Sequence, residues 1–277
     1  METYMTDKYA VIGNPIGFSK SHLIHGMFAV ATSQDMEYSK IEGPLGQFAP
    51  TVDAFRSQGA RGLNITAPFK LDAFAYATEH SEAAKLAGAA NAMKFEGDRV
   101  LVENFDGVGL VRDVVRNLKC PLKGKRVLLL GAGGAARGAL LPLLAEEPVL
   151  LVIANRTTSK AIELAELGLP HGEVRGCHYG DLKEEHFDVV FNATSASLRS
   201  ELPPVSTSVF GIDCQAYELA YGKGLTPFLR LAQNAGVKRL ADGVGMLAEQ
   251  AAEAFAWWRG VRPPTQEVIQ KLTVPLV

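Results

Sequence analysis

A chain of 277 residues is long enough for two ordinary domains, each burying its own core. Its 28 basic and 30 acidic residues are mixed along the whole length for a formal net charge of -2, which leaves no basic stripe for nucleic acid and no polybasic run for an anionic membrane. The N-terminal METYMTDKYAVIGN carries no charged-then-apolar export signal and no apolar run is long enough to cross a bilayer, so a cytoplasmic protein with a small-molecule partner is expected.

From Lys8 to Val102, short apolar or β-branched runs alternate with segments of helical period. YAVIG, MEYSKI and GLNIT read as strands, with helices over Ser21–Ala31 and Leu45–Arg56 between them, which is the pattern of a βαβ sheet. NAMKF and RVLVEN flank Glu96-Gly97-Asp98, a hairpin signal, so the sheet should be mixed and end in an antiparallel pair. A boundary is expected near Asp106, giving a first α/β domain over 1–106. An amphipathic helix over Gly107–Leu118 and the punctuation Lys123-Gly124-Lys125 then lead into RVLLL, an unbroken apolar strand. After it come a helix over Gly134–Ala145, the strand VLLVIAN, a helix over Thr158–Leu167, and the strands FDVVFNAT and VFGIDC. This is the order of a doubly wound, Rossmann-type parallel sheet, expected over 107–242. A last helical pattern covers Gly243–Arg259, and pattern alone does not say which domain it packs on.

The turn after RVLLL reads Gly131-Ala132-Gly133-Gly134-Ala135-Ala136, which fits G-x-G-x-x-A between a strand and a helix. Gly131 allows the tight turn, Gly133 lets backbone approach a pyrophosphate, Ala136 permits close helix packing, and the helix N-terminus faces the phosphate charge. Where an NAD-selective site carries an acid at the end of the next strand, this chain reads Asn155-Arg156-Thr157. A guanidinium there grips the 2′-phosphate that an acid would repel, with neutral hydrogen bonds from Asn155 and Thr157, so NADP is the expected cofactor. Lys160, one turn on, either adds charge or is a solvated lysine on the helix face.

Near the N-terminus, Ser19 and Ser21 lie on a loop entering a helix, where hydroxyls and free N–H groups suit a carboxylate as well as they suit helix capping. GLNITAPFK ends a strand with Asn64, Thr66 and Lys70, and ENFDG puts Asp106 at a strand-to-helix junction, where it could also serve as a cap. Three scattered cysteines form no C-x-x-C pair, and the neighbouring His22 and His25 lack partners at metal spacing, so neither disulfides nor a metal are expected.

Taken together, GNPIGFSKS, NITAPFK, GAANA, ENFDGVG, GAGGAARG, NRT, NATS, TPFL and DGVGMLAEQAA resemble, in order and spacing, the shikimate dehydrogenase family from one end of the chain to the other. The resemblance implies NADPH-dependent, reversible reduction of 3-dehydroshikimate to shikimate in aromatic amino-acid biosynthesis. It implies a substrate domain and an NADP domain with the active site in a cleft between them, and a terminal stretch 243–277 that returns to the first domain. By motif, Lys70 and Asp106 resemble the catalytic pair. Ser19 and Ser21 resemble the carboxylate binders, and Asn64, Thr66, Asn91, Tyr221 and Gln250 the other substrate-facing residues. Tyr217 is the less suitable match for the tyrosine and reads as packing. The glycine-rich turn Gly131 to Ala135, the Asn155 to Thr157 segment with Lys160, Thr194 of NATS, and Gly243 and Met246 of DGVGM are the implied cofactor residues. Monomer and homodimer are both open.

The sequence departs from the family pattern at Phe18, His22, Ala92, Phe105 and Ser197. Phe18 and Phe105 adjoin substrate-type residues, which leaves two alternatives standing. One is a quinate/shikimate dehydrogenase of broader specificity, and the other a non-catalytic NADP-binding regulator on the same scaffold.

Overall fold

The computed structural model describes residues 6–199 and 201–276, the side chains of 197 and 198 excepted. The departure at Ser197 and the first five residues, on which the expected lack of an export signal partly rests, therefore lie outside the described residues. The chain divides into two compact units. One runs to Asp106 and adds Ala248–Val268, and the other comprises Gly107–Leu247 and the residues from Ile269 onward.

The first unit contains β1 (Asp7–Gly13), α1 (Ser21–Ala31), β2 (Met36–Glu42), α2 (Phe48–Ser57), β3 (Ala60–Ile65), α3 (Lys70–Tyr76), β4 (Glu79–His80), α4 (Glu82–Ala87), β5 (Ala92–Glu96) and β6 (Arg99–Glu103). Its sheet has the order β2-β1-β3-β5-β6-β4. It is mixed, as the hairpin signal implied. β1 runs parallel to β2 and β3, while β5 runs antiparallel to β3 and β6, with Glu96 paired to Arg99 across Gly97 in a left-handed conformation. Ile12, Val52, Leu63, Phe69 and Met93 anchor its core, each almost wholly buried.

α5 (Asp106–Arg112) begins on the last residue of the first unit's opening segment and continues into the second, where it winds on into a single π-helical turn over Asp113–Asn117 rather than staying α-helical to Leu118. Then follow β7 (Arg126–Leu130), α6 (Gly134–Leu144), β8 (Leu150–Ala154), α7 (Thr158–Gly168), β9 (Val174–Cys177), β10 (Phe187–Asn192), β11 (Phe210–Glu218), α8 (Pro227–Asn234) and β12 (Arg239–Asp242). All six strands are parallel in the order β12-β11-β10-β7-β8-β9. The chain leaves β7 in one direction and returns to β10 on its other side, which creates the switch point where α/β sheets bind ligands.

The last elements are α9 (Val244–Arg259) and α10 (Gln266–Leu272). The C-terminal stretch is divided rather than returned whole to the first domain: 248–268 cluster with the first unit, and 244–247 and 269 onward with the second. Within the first unit, Trp258 of α9 donates its indole N–H to the Met93 carbonyl at 2.9 Å. Gly62 is required beneath it, because a Cβ there would stand 2.6 Å from the Met93 carbonyl oxygen and 2.7 Å from the indole nitrogen.

Candidate active site

Two strand ends of the first unit bring Lys70 and Asp106 together. β3 stops at Ile65, the Phe69 amide bonds back to the Thr66 carbonyl at 3.0 Å to close a turn, and Lys70 begins α3. Asp106 begins α5, its amide donating to Asn104 Oδ1 at 3.2 Å. The Lys70 ammonium donates to Asp106 Oδ2 at 2.5 Å, and Asn91 Nδ2 donates to Asp106 Oδ1 at 2.8 Å and to Gln250 Oε1 at 3.3 Å. Asn91 is itself held, its Oδ1 accepting the Phe105 amide at 2.9 Å. Both carboxylate oxygens of Asp106 are thus engaged by side chains. The Lys70 and Asp106 side chains are 35% and 16% exposed, so the pair is partly shielded from solvent.

Ser19 and Ser21 sit at the entrance to α1. The Ser19 hydroxyl donates to Ser21 Oγ at 3.2 Å and accepts the Ser21 amide at 3.3 Å, whereas the N-cap position belongs to Lys20, whose side chain makes no cap bond. The Lys40 ammonium of β2 donates to the Gly17 carbonyl at 3.1 Å, bringing a positive charge to the same loop. Asn64 of β3 is buried; its Oδ1 accepts from the Tyr38 hydroxyl at 2.7 Å and its Nδ2 donates to the Asn91 carbonyl at 3.3 Å. Thr66 is half-buried at the end of β3 with its methyl against Gly13.

Beside this cluster lies His25 of α1, fully buried, with neither ring nitrogen hydrogen-bonded among the described residues. It stacks on Tyr38 at 4.3 Å and 4°, with Phe28, Phe255 and Trp258 around it. Burial pushes the imidazole down to about 3 from its ordinary 6.5, with Asn64 alongside offsetting part of the effect, so His25 is uncharged. Burial likewise pushes the Tyr38 phenol up, an effect that the Ser21 hydroxyl beside it partly relieves. Neither Tyr38 nor His25 is distinguishable as a site residue in the sequence: one sits in a short strand, the other on an apolar helix face.

In the second unit, Gly131 takes φ +105 and has Ala193 O and Thr194 Cγ2 each 3.2 Å from where a Cβ would stand, so the turn after β7 presses against the turn after β10. Gly133 and Gly134 have nothing within 4 Å of theirs, and Ala136 is fully buried behind them. The result is an open cradle of backbone at the first turn of α6 without a capping side chain, suited to an anion. It opens into a groove of about 570 Å³ that Ala132, Asn155, Arg156, Tyr179 and Thr194 also line. Arg156 is exposed at the end of β8, where no carboxylate stands beside it in sequence, while Arg199 on the same groove is already gripped by Glu201 through two bonds of 3.0 and 2.9 Å. This donor set fits a dinucleotide with an additional phosphate on its adenosine ribose. Thr194 is fixed through Asn192 Oδ1, whose amide in turn donates to the buried Glu218.

Not every expected cofactor residue is at this groove. Ala135, Thr157 and Lys160 do not line it; Thr157 occupies the N-cap position of α7, and its carbonyl accepts from Asn155 Nδ2 at 3.0 Å. Gly243 is required by packing, since a Cβ would fall 2.1 Å from the Leu219 carbonyl oxygen. The Met246 amide donates to the Tyr217 hydroxyl at 3.3 Å, and that hydroxyl donates to the buried Asp113 at 2.7 Å, so Tyr217 is a buried polar tie as well as a packing residue. Tyr221 is 42% exposed. Of the positions that depart from the family pattern, Phe18 is 86% exposed, Phe105 packs edge-on against Trp257 at 5.8 Å, and Ala92 is fully buried. Among the described residues no cluster of three or more His, Cys, Asp or Glu is placed to hold a metal, and no helix is long and apolar enough to cross a membrane.

Family models match three stretches: the shikimate dehydrogenase substrate binding domain over 11–93, shikimate / quinate 5-dehydrogenase over 113–200, and the shikimate 5′-dehydrogenase C-terminal domain over 243–273. The chain is 53% identical to shikimate dehydrogenase (NADP+) of Nitrosospira multiformis, over 97% of its own length and 98% of the relative's. A crystal structure of an Ael1 enzyme from Pseudomonas putida superposes with a TM-score of 0.95 at 60% identity, over 98% of this chain and 100% of that one. Shikimate 5-dehydrogenase from Thermus thermophilus, solved in complex with NADP(H) and shikimate, superposes at 0.83 with 27% identity, over 96% and 99%. With matches of this extent in both units, the chain belongs to the shikimate dehydrogenase family.

Proposed function

We propose that the protein catalyses the reversible, NADP-dependent interconversion of shikimate and 3-dehydroshikimate. The observation that carries the reading is the Lys70–Asp106 pair joined to Asn91 and Gln250 in one hydrogen-bonded set, in a chain whose other unit holds an open glycine cradle with Arg156 at its rim.

Gly131 to Gly134 would hold the pyrophosphate by backbone, and Arg156 the 2′-phosphate, with Asn155 beside it. Bound NADPH supplies the hydride. Lys70 donates a proton to the oxygen of the carbonyl as it becomes a hydroxyl, and its positive charge stabilises the developing alkoxide; in the oxidative direction it takes that proton back. Asp106 fixes the ammonium and offers its carboxylate to a ring hydroxyl, while Asn91, Gln250, Asn64 and Thr66 supply the neutral donors and acceptors that a polyhydroxylated ring requires. Ser19 and Ser21 bind the ring carboxylate, with Lys40 contributing positive potential. A site of this kind discriminates strongly against analogues lacking a matching hydroxyl, because its buried polar groups would then be left unpaired.

Initial velocities with shikimate and with quinate, each paired with NADP and with NAD, test the proposal. Turnover highest with shikimate and NADP supports it. A preference for quinate moves the protein to the broader-specificity reading, and silence in all four pairings refutes catalysis.

A further inference from the structure

We infer that the Tyr179 hydroxyl is a second ligand of the cofactor's 2′-phosphate, beside Arg156, and that it helps set the preference for NADP over NAD. The inference rests on the proposed function, which makes the groove of the second unit the NADP site.

The register of two strands brings the pair together. β8 and β9 run parallel with Ala154 opposite Cys177, and the Asn155 amide donates to the Cys177 carbonyl at 3.1 Å. Arg156 and Tyr179 each lie two residues beyond that match, at the carboxyl ends of neighbouring strands, and both line the groove. The phenol is fixed from two sides. Its ring belongs to the apolar core that includes Cys177, Leu182 and Val205. The turn that carries it is closed by His178 Nδ1, which accepts the Gly180 amide at 3.0 Å, and by Asp181 Oδ2, which accepts the His178 amide at 2.9 Å.

Tyr179 is only 8% exposed, yet its hydroxyl makes no hydrogen bond among the described residues. A buried tyrosine ordinarily finds a partner for its O–H. Among the described residues, the unbonded side-chain atoms that are sealed from solvent belong to His25 and Arg112, so the Tyr179 oxygen is not sealed, and the space that the residue borders is the groove. The neighbouring polar side chains of the groove are already engaged: Asn155 with the Thr157 carbonyl, Thr194 with Asn192, and Ser195 and Glu201 with Arg199. Among the described residues that line it, Arg156 and Tyr179 are the polar side chains left without a hydrogen bond. Burial pushes the phenol up, an effect that the Arg156 charge partly relieves, so the hydroxyl keeps its proton and donates. A guanidinium and a neutral donor side by side are both answered by an anion with several acceptor oxygens, and the 2′-phosphate is the anion at this end of the cofactor.

The test is Tyr179→Phe, which removes the hydroxyl and keeps the packed ring, titrated calorimetrically with NADP and with NAD. We expect NADP to bind about tenfold more weakly, the loss of one hydrogen bond to a charged group, with NAD affinity and the unfolding temperature unchanged. An NADP affinity within about twofold of wild type overturns the inference, since one such bond is worth more than that. Equal losses with both cofactors also overturn it, because the hydroxyl would then serve the adenosine that the two share or the packing of the fold. The wild-type protein titrated alongside separates this failure from that of the proposed function. A wild type that binds NADP no better than NAD refutes the NADP site and the inference with it. A wild type that prefers NADP but turns over no shikimate refutes the catalytic reading alone, and the NADP and NAD titrations of Tyr179→Phe still decide the inference.

Discussion

Replacing Lys70 by alanine removes the proposed proton donor and leaves the rest of its setting in place. Asp106 loses the 2.5 Å ion pair but keeps Asn91 at 2.8 Å, and Asn91 keeps the Phe105 amide. General acid catalysis is worth about a hundredfold to ten-thousandfold, and a preorganised charge at the developing oxyanion a comparable factor. A fall in kcat of at least about a thousandfold, or about 4 kcal/mol of transition-state stabilisation, is therefore expected. Stability should change by less than about 1 kcal/mol, because the pair is partly solvated and the Lys70 side chain is 35% exposed. The KM for NADP should not change, since the groove-lining residues all belong to the second unit and Lys70 to the first. Steady-state rates with saturating shikimate and NADP, together with urea unfolding, separate these quantities. A kcat within tenfold of wild type would remove Lys70 from the chemistry, and a KM for NADP that rose with the loss of kcat would show a structural defect instead.

Arg156→Ala should raise the KM for NADP by about tenfold to a hundredfold while leaving that for NAD unchanged, so the two cofactors converge; equal losses with both would contradict a 2′-phosphate role. His25 has its folded value depressed to about 3 from 6.5, so the unfolded chain binds the proton first, and stability is lost as pH falls from 6.5 toward 3 by up to about 1.4 kcal/mol per unit. Tyr38, which faces it, stays protonated throughout. Urea unfolding at stepped pH should show this slope flattened in His25→Phe, and identical slopes would refute the assignment. Gly107→Ala should destabilise by more than about 2 kcal/mol, because its Cβ would fall 2.1 Å from the Gly138 carbonyl oxygen. Gly26→Ala, in α1 with nothing within 4 Å, should stabilise by about 0.5 to 1 kcal/mol. Thermal melts of the two variants check both signs.

Elements with a strong period were legible in the sequence. α1 spans Ser21–Ala31 as its apolar spacing predicts, α6 and α7 each end within one residue of their expected limits, and the Glu96-Gly97-Asp98 turn closes its hairpin. The elements that went unread are short: the two-residue β4, the four-residue β9 and β12, with Gly176 of β9 packed onto Ala161, and the helices α3, α4, α8 and α10 of six to eight residues. The π turn after Arg112 could not be read either, since it carries a buried Asp113 whose partner, Tyr217, lies 104 residues away. At the site, the glycine turn and Arg156 announce themselves because backbone and phosphate chemistry impose a local motif. Lys70, Asp106 and Asn91 became visible only through family resemblance, because separate turns deliver them to one hydrogen-bonded set. Tyr38 and His25 carry no local signal, as their significance lies in a stack between β2 and α1.

Product identification tests most directly whether this chain oxidises shikimate with NADP. Purified protein incubated with shikimate and NADP should form 3-dehydroshikimate, identified by mass and by the new carbonyl in its NMR spectrum, in one-to-one ratio with NADPH. NADP that binds to the protein, with shikimate recovered unchanged, would contradict the claim and leave a cofactor-binding scaffold without this chemistry.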